Sequence, residues 1–190
     1  MSRFTLKPVG WRPRLDPVKA ETATPAQLAA LEACPPMQRR STYFLTLAHD
    51  PGSLGERGAL FNIVMYAEGG LPRAERELAT AVVSMVNGCV FCTSVHAKRF
   101  VELSGDEKAM QRMLDEGWGE EPDPRRRVVA AFAEALTRDP GAVTPVHLAP
   151  LRAAGLDDLE ILDLIHAVAM FANANRLMLS LGDPLLPKVM

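Results

Sequence analysis

A capping residue followed at once by proline recurs along this chain, at Thr24-Pro25, Asp123-Pro124 and Thr144-Pro145. The oxygen of the first residue accepts an otherwise unpaired helix N–H, and proline's fixed φ suits the first helical position, where its missing N–H costs nothing. Such punctuation cuts a chain into helices. It predicts a first helix from Thr24-Pro25 to Cys34, stopped by Pro35-Pro36, and a second from about Met37 to Ala48, ending before Asp50-Pro51. Ser53 caps a third, with Leu60, Ile63, Val64 and Tyr66 on its apolar side and Gly69-Gly70 closing it. Pro72 opens a fourth that runs to Val86, and Asn87-Gly88 breaks the chain there. A fifth spans Cys89 to Leu103, and Asp106 caps a sixth reaching Glu116. The seventh, from Asp123-Pro124, places Val128, Val129, Phe132 and Leu136 on one face, and a short eighth from Thr144-Pro145 closes at Gly155. Asp157 or Asp158 caps a long ninth through Leu181.

Strand signals are nearly absent, since no alternating β-branched run of useful length occurs. At 190 residues the chain suffices for one domain with a sizeable core and is short for two. The expectation is an all-α single domain over residues 23–190, a bundle of about nine helices. It is preceded by an arm over 1–22, which holds three prolines and little periodicity and lies on the body or on a neighbouring subunit. The ninth helix is apolar on more than one side (Ile161, Leu164, Ile165, Val168, Phe171), so it needs wide cover, from its own subunit and from another. A net charge of −2 gives no reason to expect nucleic acid or an anionic membrane as partner. No run of 18 apolar residues and no secretory pattern stands out. Three cysteines, an odd number, argue against a disulfide-stapled secreted fold, so a cytoplasmic location is expected.

Chemistry concentrates between Glu77 and His96, in ELATAVVSMVNGCVFCTSVH. If Gly88 allows a turn, Cys89 falls at a helix start, where free N–H groups and the helix dipole lower a thiol pKa. Cys92, three residues on, is within reach for a disulfide. His96 follows Cys92 by four residues, on the same helical face, and can stabilise its thiolate or carry its proton. Glu77 stands among Leu78, Ala81, Val82 and Met85 on an inward face of the preceding helix, where a carboxylate is costly unless paired. A Glu77–His96 couple would pair it and serve as a proton relay. Two blander readings remain: Cys89, Cys92, His96 and Glu77 as zinc ligands, or two inert core thiols. A thioredoxin-like reading lacks any βαβ pattern.

Elsewhere, Cys34 reads as a packed thiol and His49 as a helix-end imidazole, with His147 isolated. His166 reads as a core or interface histidine, and Arg125-Arg126-Arg127 as a solvated face. The segment APLRAAGLDDLEILDLI mimics a helix-turn-helix but carries no basic recognition helix.

The spaced Glu, Cys-x-x-Cys and His resemble the core of the alkylhydroperoxidase D group of the carboxymuconolactone decarboxylase superfamily. FLTLAHDPGSL before it and LEILDLIHAVAMFANANRLMLSLG after it resemble the peroxidase-related branch, so the likeness spans about residues 40 to 183. The resemblance implies a homo-oligomeric, antioxidant thiol peroxidase acting on hydroperoxides. Cys92 would be the peroxidatic cysteine and Cys89 the resolving one, with Glu77 and His96 as the relay that deprotonates Cys92. It also implies an external dithiol or redoxin as reductant. No Gly-rich nucleotide fingerprint is present, so no flavin, nicotinamide or other cofactor and no metal is expected. Some members of the group carry a second histidine just before the peroxidatic cysteine, where this chain has Phe91. Two alternatives stay open: a lyase like the superfamily's decarboxylase branch, which does not depend on the cysteine pair, and a non-enzymatic redox or zinc-stabilised helical protein.

Overall fold

Side-chain caps partition the chain much as the proline pairs announce. Thr24 accepts from Gln27 N–H in a reciprocal capping box at the head of α1 (Pro25–Glu32). Asp106 heads α6 (Glu107–Glu116), Asp123 heads α7 (Pro124–Arg138), and Asp157 heads α9 (Asp158–Leu181). At α8 (Pro145–Ala153) the Nδ1 of His147 accepts from Thr144 N–H. The remaining helices are α2 (Thr42–Leu47), α3 (Pro51–Tyr66), α4 (Arg73–Val86) and α5 (Val90–Ser104). The structure is a computed structural model and describes residues 4–36 and 38–186. Among the described residues the fold is all-α, of nine helices, with two short strands at its flanks.

Helix α4 is the axis of the molecule and packs against α5, α7 and α9. Every residue from Arg76 to Ser84 is buried, so α4 is enclosed on all sides rather than on one stripe. Its polar members survive there because they are paired. Thr80 and Ser84 donate to the carbonyls one turn back, and Arg76 donates to Leu71, Val64 and Gly69 carbonyls and to Asp163 of α9. The turn after α4 is a Schellman motif. Cys89 N–H reaches Ser84 O at 2.8 Å, Gly88 N–H reaches Met85 O, and Gly88 takes the left-handed φ of 76° that glycine accepts without strain. This reversal lays α5 back along α4. It is the step that brings Glu77 and His96 within reach of each other.

Several expectations need correction. The expected start of the second helix at Met37 lies outside the described residues, and the helix runs only over Thr42–Leu47 with Ser41 as its cap. In α3 the cap is Asp50, not Ser53: Ser53 N–H and Oγ–H both donate to the Asp50 carboxylate. Asp50-Pro51 therefore opens a helix rather than closing one, because the residue before proline suits an N-cap as well as a stop. The apolar side assigned to α3 is mostly uncovered: Leu60, Ile63 and Tyr66 are 50, 65 and 55% exposed, and the buried residues are Leu54, Val64 and Met65. The arginine run is a solvated face only at Arg127, which is exposed. Arg125 is clamped between Glu75 and Glu160, Arg126 pairs with Asp106 over the Phe100 ring, and Arg127 donates to the Glu121 carbonyl.

Two strands escaped the sequence pattern. β1 (Gly10–Pro13) pairs antiparallel with β2 (Gly182–Leu185), with Trp11 opposite Pro184. Four residues containing Gly and Pro show no alternation, and their partner is distant in sequence. The arm thus lies on the body of its own subunit. Trp11 Nε1–H donates to the Met178 carbonyl, and the ring stands edge-on to Tyr43 at 5.5 Å. By length and composition α9 could cross a membrane, yet nine of its residues are buried within the molecule.

Candidate active site

Cys89 ends the α4–α5 turn as the N-cap of α5, and Cys92 sits in the first turn of that helix. Both thiols are free and buried, at 2 and 6% exposure. The two sulfurs act as one unit. Cys89 has its pKa lowered, first by the hydrogen bond it accepts from the Cys92 thiol, and then by the backbone N–H groups of Cys92 and Phe91 at the helix head. The same hydrogen bond, with burial, pushes Cys92 well above the usual thiol range. The directions make Cys89 the more acidic of the two thiols, with Cys92 as its S–H donor. The expectation that a helix start favours Cys89 as the acidic thiol agrees with this electrostatic balance.

Access runs the other way. Cys92 lines a cavity of about 270 Å³, whereas Cys89 faces a separate void of about 10 Å³ beside Trp11 and Met178. A reagent entering the cavity therefore meets the Cys92 sulfur.

Glu77 and His96 share that cavity with Cys92. Glu77 is wholly buried, and its Oε2 lies 2.5 Å from His96 Nδ1. An ionised carboxylate only accepts, so Nδ1 carries the proton and Nε2 is the nitrogen left for other work. Arg73, one turn before Glu77, holds the other oxygen through Nε at 2.9 Å and through Nη2. Burial by itself raises the Glu77 carboxyl, but hydrogen bonds and charge from His96 and Arg73 outweigh it and hold the pKa below the usual value. The His96 ring stands edge-on to Phe171 with centroids 4.3 Å apart, which fixes its plane. Cys92 and His96 are one turn apart on α5 and make no hydrogen bond to each other at rest. Among the described residues no group of three or more His, Cys, Asp or Glu side chains is placed to hold a metal ion.

Sequence reasoning missed Asn175. It is fully buried on α9, donates to Ser84 Oγ at 3.1 Å, and accepts from Asn87 Nδ2 at 3.1 Å. Its amide also hydrogen-bonds the cysteine pair, favouring the charged form of each sulfur. The available signal was an amide within the apolar stretch of α9, a group that is costly to bury unless satisfied, but Asn173 two residues before offered the same signal and the sequence does not say which is buried. Tyr43, Arg57 and Arg73, also on the cavity wall, carried no signal of their own.

The other singled-out residues stand apart. Cys34 is buried in the small core that also holds Cys89 and Cys92, and it donates to the Ala30 carbonyl; burial raises its pKa. His49 Nε2 meets the Asp16 carbonyl at 2.9 Å. His166 is exposed, not a core residue.

Residues 57–116 match the carboxymuconolactone decarboxylase family. No curated protein matches the chain. Among solved structures, an uncharacterised peroxidase-related protein from Ralstonia eutropha, described as an alkylhydroperoxidase D core, is 25% identical, with a TM-score of 0.68 over 73% of each chain. A peroxidase-related protein from a Silicibacter species is 24% identical, with a TM-score of 0.71 over 91% of this chain and 94% of the other. The debrominase Bmp8 is 16% identical, with a TM-score of 0.72 over 89% and 90%. The last two likenesses speak for the fold alone.

Proposed function

We propose that this chain, whose central helices are those of the carboxymuconolactone decarboxylase superfamily in its alkylhydroperoxidase D-like form, is a thiol-dependent peroxidase. The observation that carries the reading is the meeting of Cys92, His96 and Glu77 on one cavity, with Cys89 hydrogen-bonded to Cys92 from behind. His96 Nε2 takes the Cys92 proton, and the Glu77 carboxylate stabilises the imidazolium that results. The Cys92 sulfur attacks the terminal peroxide oxygen: an S–O bond forms, the O–O bond breaks, and the imidazolium returns its proton to the departing alkoxide. Sulfur is oxidised by two electrons to a sulfenic acid and the peroxide is reduced to an alcohol. The Cys89 thiolate then attacks the Cys92 sulfur. The S–S bond forms, hydroxide leaves and is protonated to water, and an external dithiol or redoxin returns both thiols.

The lowered pKa of Cys89 suits this order, because the resolving sulfur is the readier of the two to ionise when the sulfenic acid appears. The reading includes a reducing, cytoplasmic setting, and self-association through the uncovered apolar residues of α3, such as Leu60 and Ile63.

The test is a thiol count before and after one equivalent of hydroperoxide. Wild type loses two thiols, and Cys92→Ser loses none. Cys89→Ser halts at a sulfenic acid trapped by dimedone. An unchanged count in wild type ends the proposal, and turnover that survives replacement of both cysteines would point to the lyase reading instead.

A further inference from the structure

The cavity over Cys92 is far roomier than hydrogen peroxide needs. It holds about 270 Å³, against roughly 30 Å³ for a water molecule in the liquid. Much of its wall is aromatic, from Tyr43, Phe44, Phe61, Tyr66, Phe91 and Phe171. Three arginines also line it, and two are neutralised: Arg73 by Glu77 and Arg99 by Glu102. Arg57 has no carboxylate partner among the described residues. Its guanidinium lies 5.9, 5.4 and 5.6 Å from the ring centroids of Tyr43, Phe44 and Phe61. Its Nε is buried without a hydrogen-bond partner, and so is the Tyr43 hydroxyl, on a residue only 7% exposed. The two groups approach each other without completing a bond. Burial pushes the Tyr43 pKa up to about 12, so the phenol remains a neutral O–H donor at physiological pH.

Buried donors left unpaired are costly, and here two of them sit on one aromatic-walled cavity beside an unneutralised cation. Resting on the peroxidase reading above, we infer that the preferred substrate is an organic hydroperoxide with a flat apolar body and a carboxylate. The carboxylate is held by Arg57 and Tyr43, the body lies against the rings, and the peroxide end meets Cys92. A guanidinium and a phenol both donate to a carboxylate, and such charge-assisted bonds are about twice as strong as neutral ones. Neither group gains a comparable partner from hydrogen peroxide or a neutral alkyl hydroperoxide.

Two measurements test this. The first is the ratio of kcat/KM for 4-carboxycumene hydroperoxide to that for cumene hydroperoxide. A ratio cancels any effect that the Arg57 charge has on Cys92 itself. It is expected to be at least about tenfold in wild type and to fall towards one in Arg57→Gln, with a smaller fall in Tyr43→Phe. The second is calorimetric binding of 4-isopropylbenzoate and 4-isopropylbenzyl alcohol to the Cys89→Ser/Cys92→Ser double variant, where no peroxide chemistry occurs. The benzoate should bind at least about tenfold tighter, and the preference should vanish when Arg57→Gln is added. Ratios near one in both measurements overturn the inference. A benzoate preference without any hydroperoxide turnover by wild type would support the recognition and overturn the peroxidase reading alone.

Discussion

Glu77 is fully buried and answers both His96 and Arg73. Replacing it with glutamine keeps the shape and removes the charge. The relay then has no anion to stabilise an imidazolium, and peroxide turnover at neutral pH should fall by about 100-fold. Stability should fall by about 3 kcal/mol, because Arg73 loses its carboxylate and keeps only the amide oxygen and the Tyr66 ring as partners. The pH dependence has a definite sign. The folded-state pKa of Glu77 is depressed, so its contribution is complete above the ordinary carboxylate value of about 4.3 and is lost as pH falls through the lowered one. Denaturant melts of wild type and Glu77→Gln should therefore differ most at pH 7 and converge in acid. A gap that stays constant with pH would show that the charge is not what stabilises. At this scale the sequence was partly legible. The Glu77–His96 contact could be read because one recognisable reversal, Asn87-Gly88, joins their helices. Asn175 and Arg57 could not, because each reaches the site from a helix whose place beside Cys92 is settled by packing far away in sequence.

Elements tell a similar story with a different cause. Helices opened by Asp106, Asp123 and Asp157 were readable because the cap bonds a backbone N–H within three residues, so the signal is local. The start of α3 was misplaced because Asp50 and Ser53 are both good caps and they bond each other, so composition cannot order them. The β1–β2 pair was invisible because its register is fixed by the Trp11 ring packed on Gly182 rather than by any strand propensity. A Cβ on Gly182 would stand 2.4 Å from the Trp11 ring and 2.5 Å from the Arg12 carbonyl oxygen. Backbone conformation is no obstacle, since φ there is −174° and open to any residue. Gly182→Ala should thus cost about 1–3 kcal/mol by overpacking, and lower the melting temperature by roughly 3–10 °C in calorimetry. An unchanged melting temperature would mean that the pair is not held by that contact.

For the whole molecule, the all-α class was legible from the density of caps and breakers, but not which surfaces meet. Leu60 and Ile63 look on paper like a buried stripe, yet they stay 50 and 65% exposed: Leu60 only borders an open pocket with His166 and Met170 of α9, and Val64 beside it takes the burial. What the assembled fold does join is the early strand and the sulfur pair: Trp11 borders the same small void as Cys89. A disulfide quenches the excited state of an adjacent indole, and the only other tryptophan, Trp118, packs beside Glu134 of α7. Oxidation of the pair should therefore dim the intrinsic emission, reversibly with dithiothreitol, and Trp11→Phe should abolish the change while Trp118→Phe leaves it. If the pair cycles as proposed, the indole becomes an optical gauge of its redox state, and each oxidation could be followed in a stopped-flow cuvette without dye or coupling enzyme.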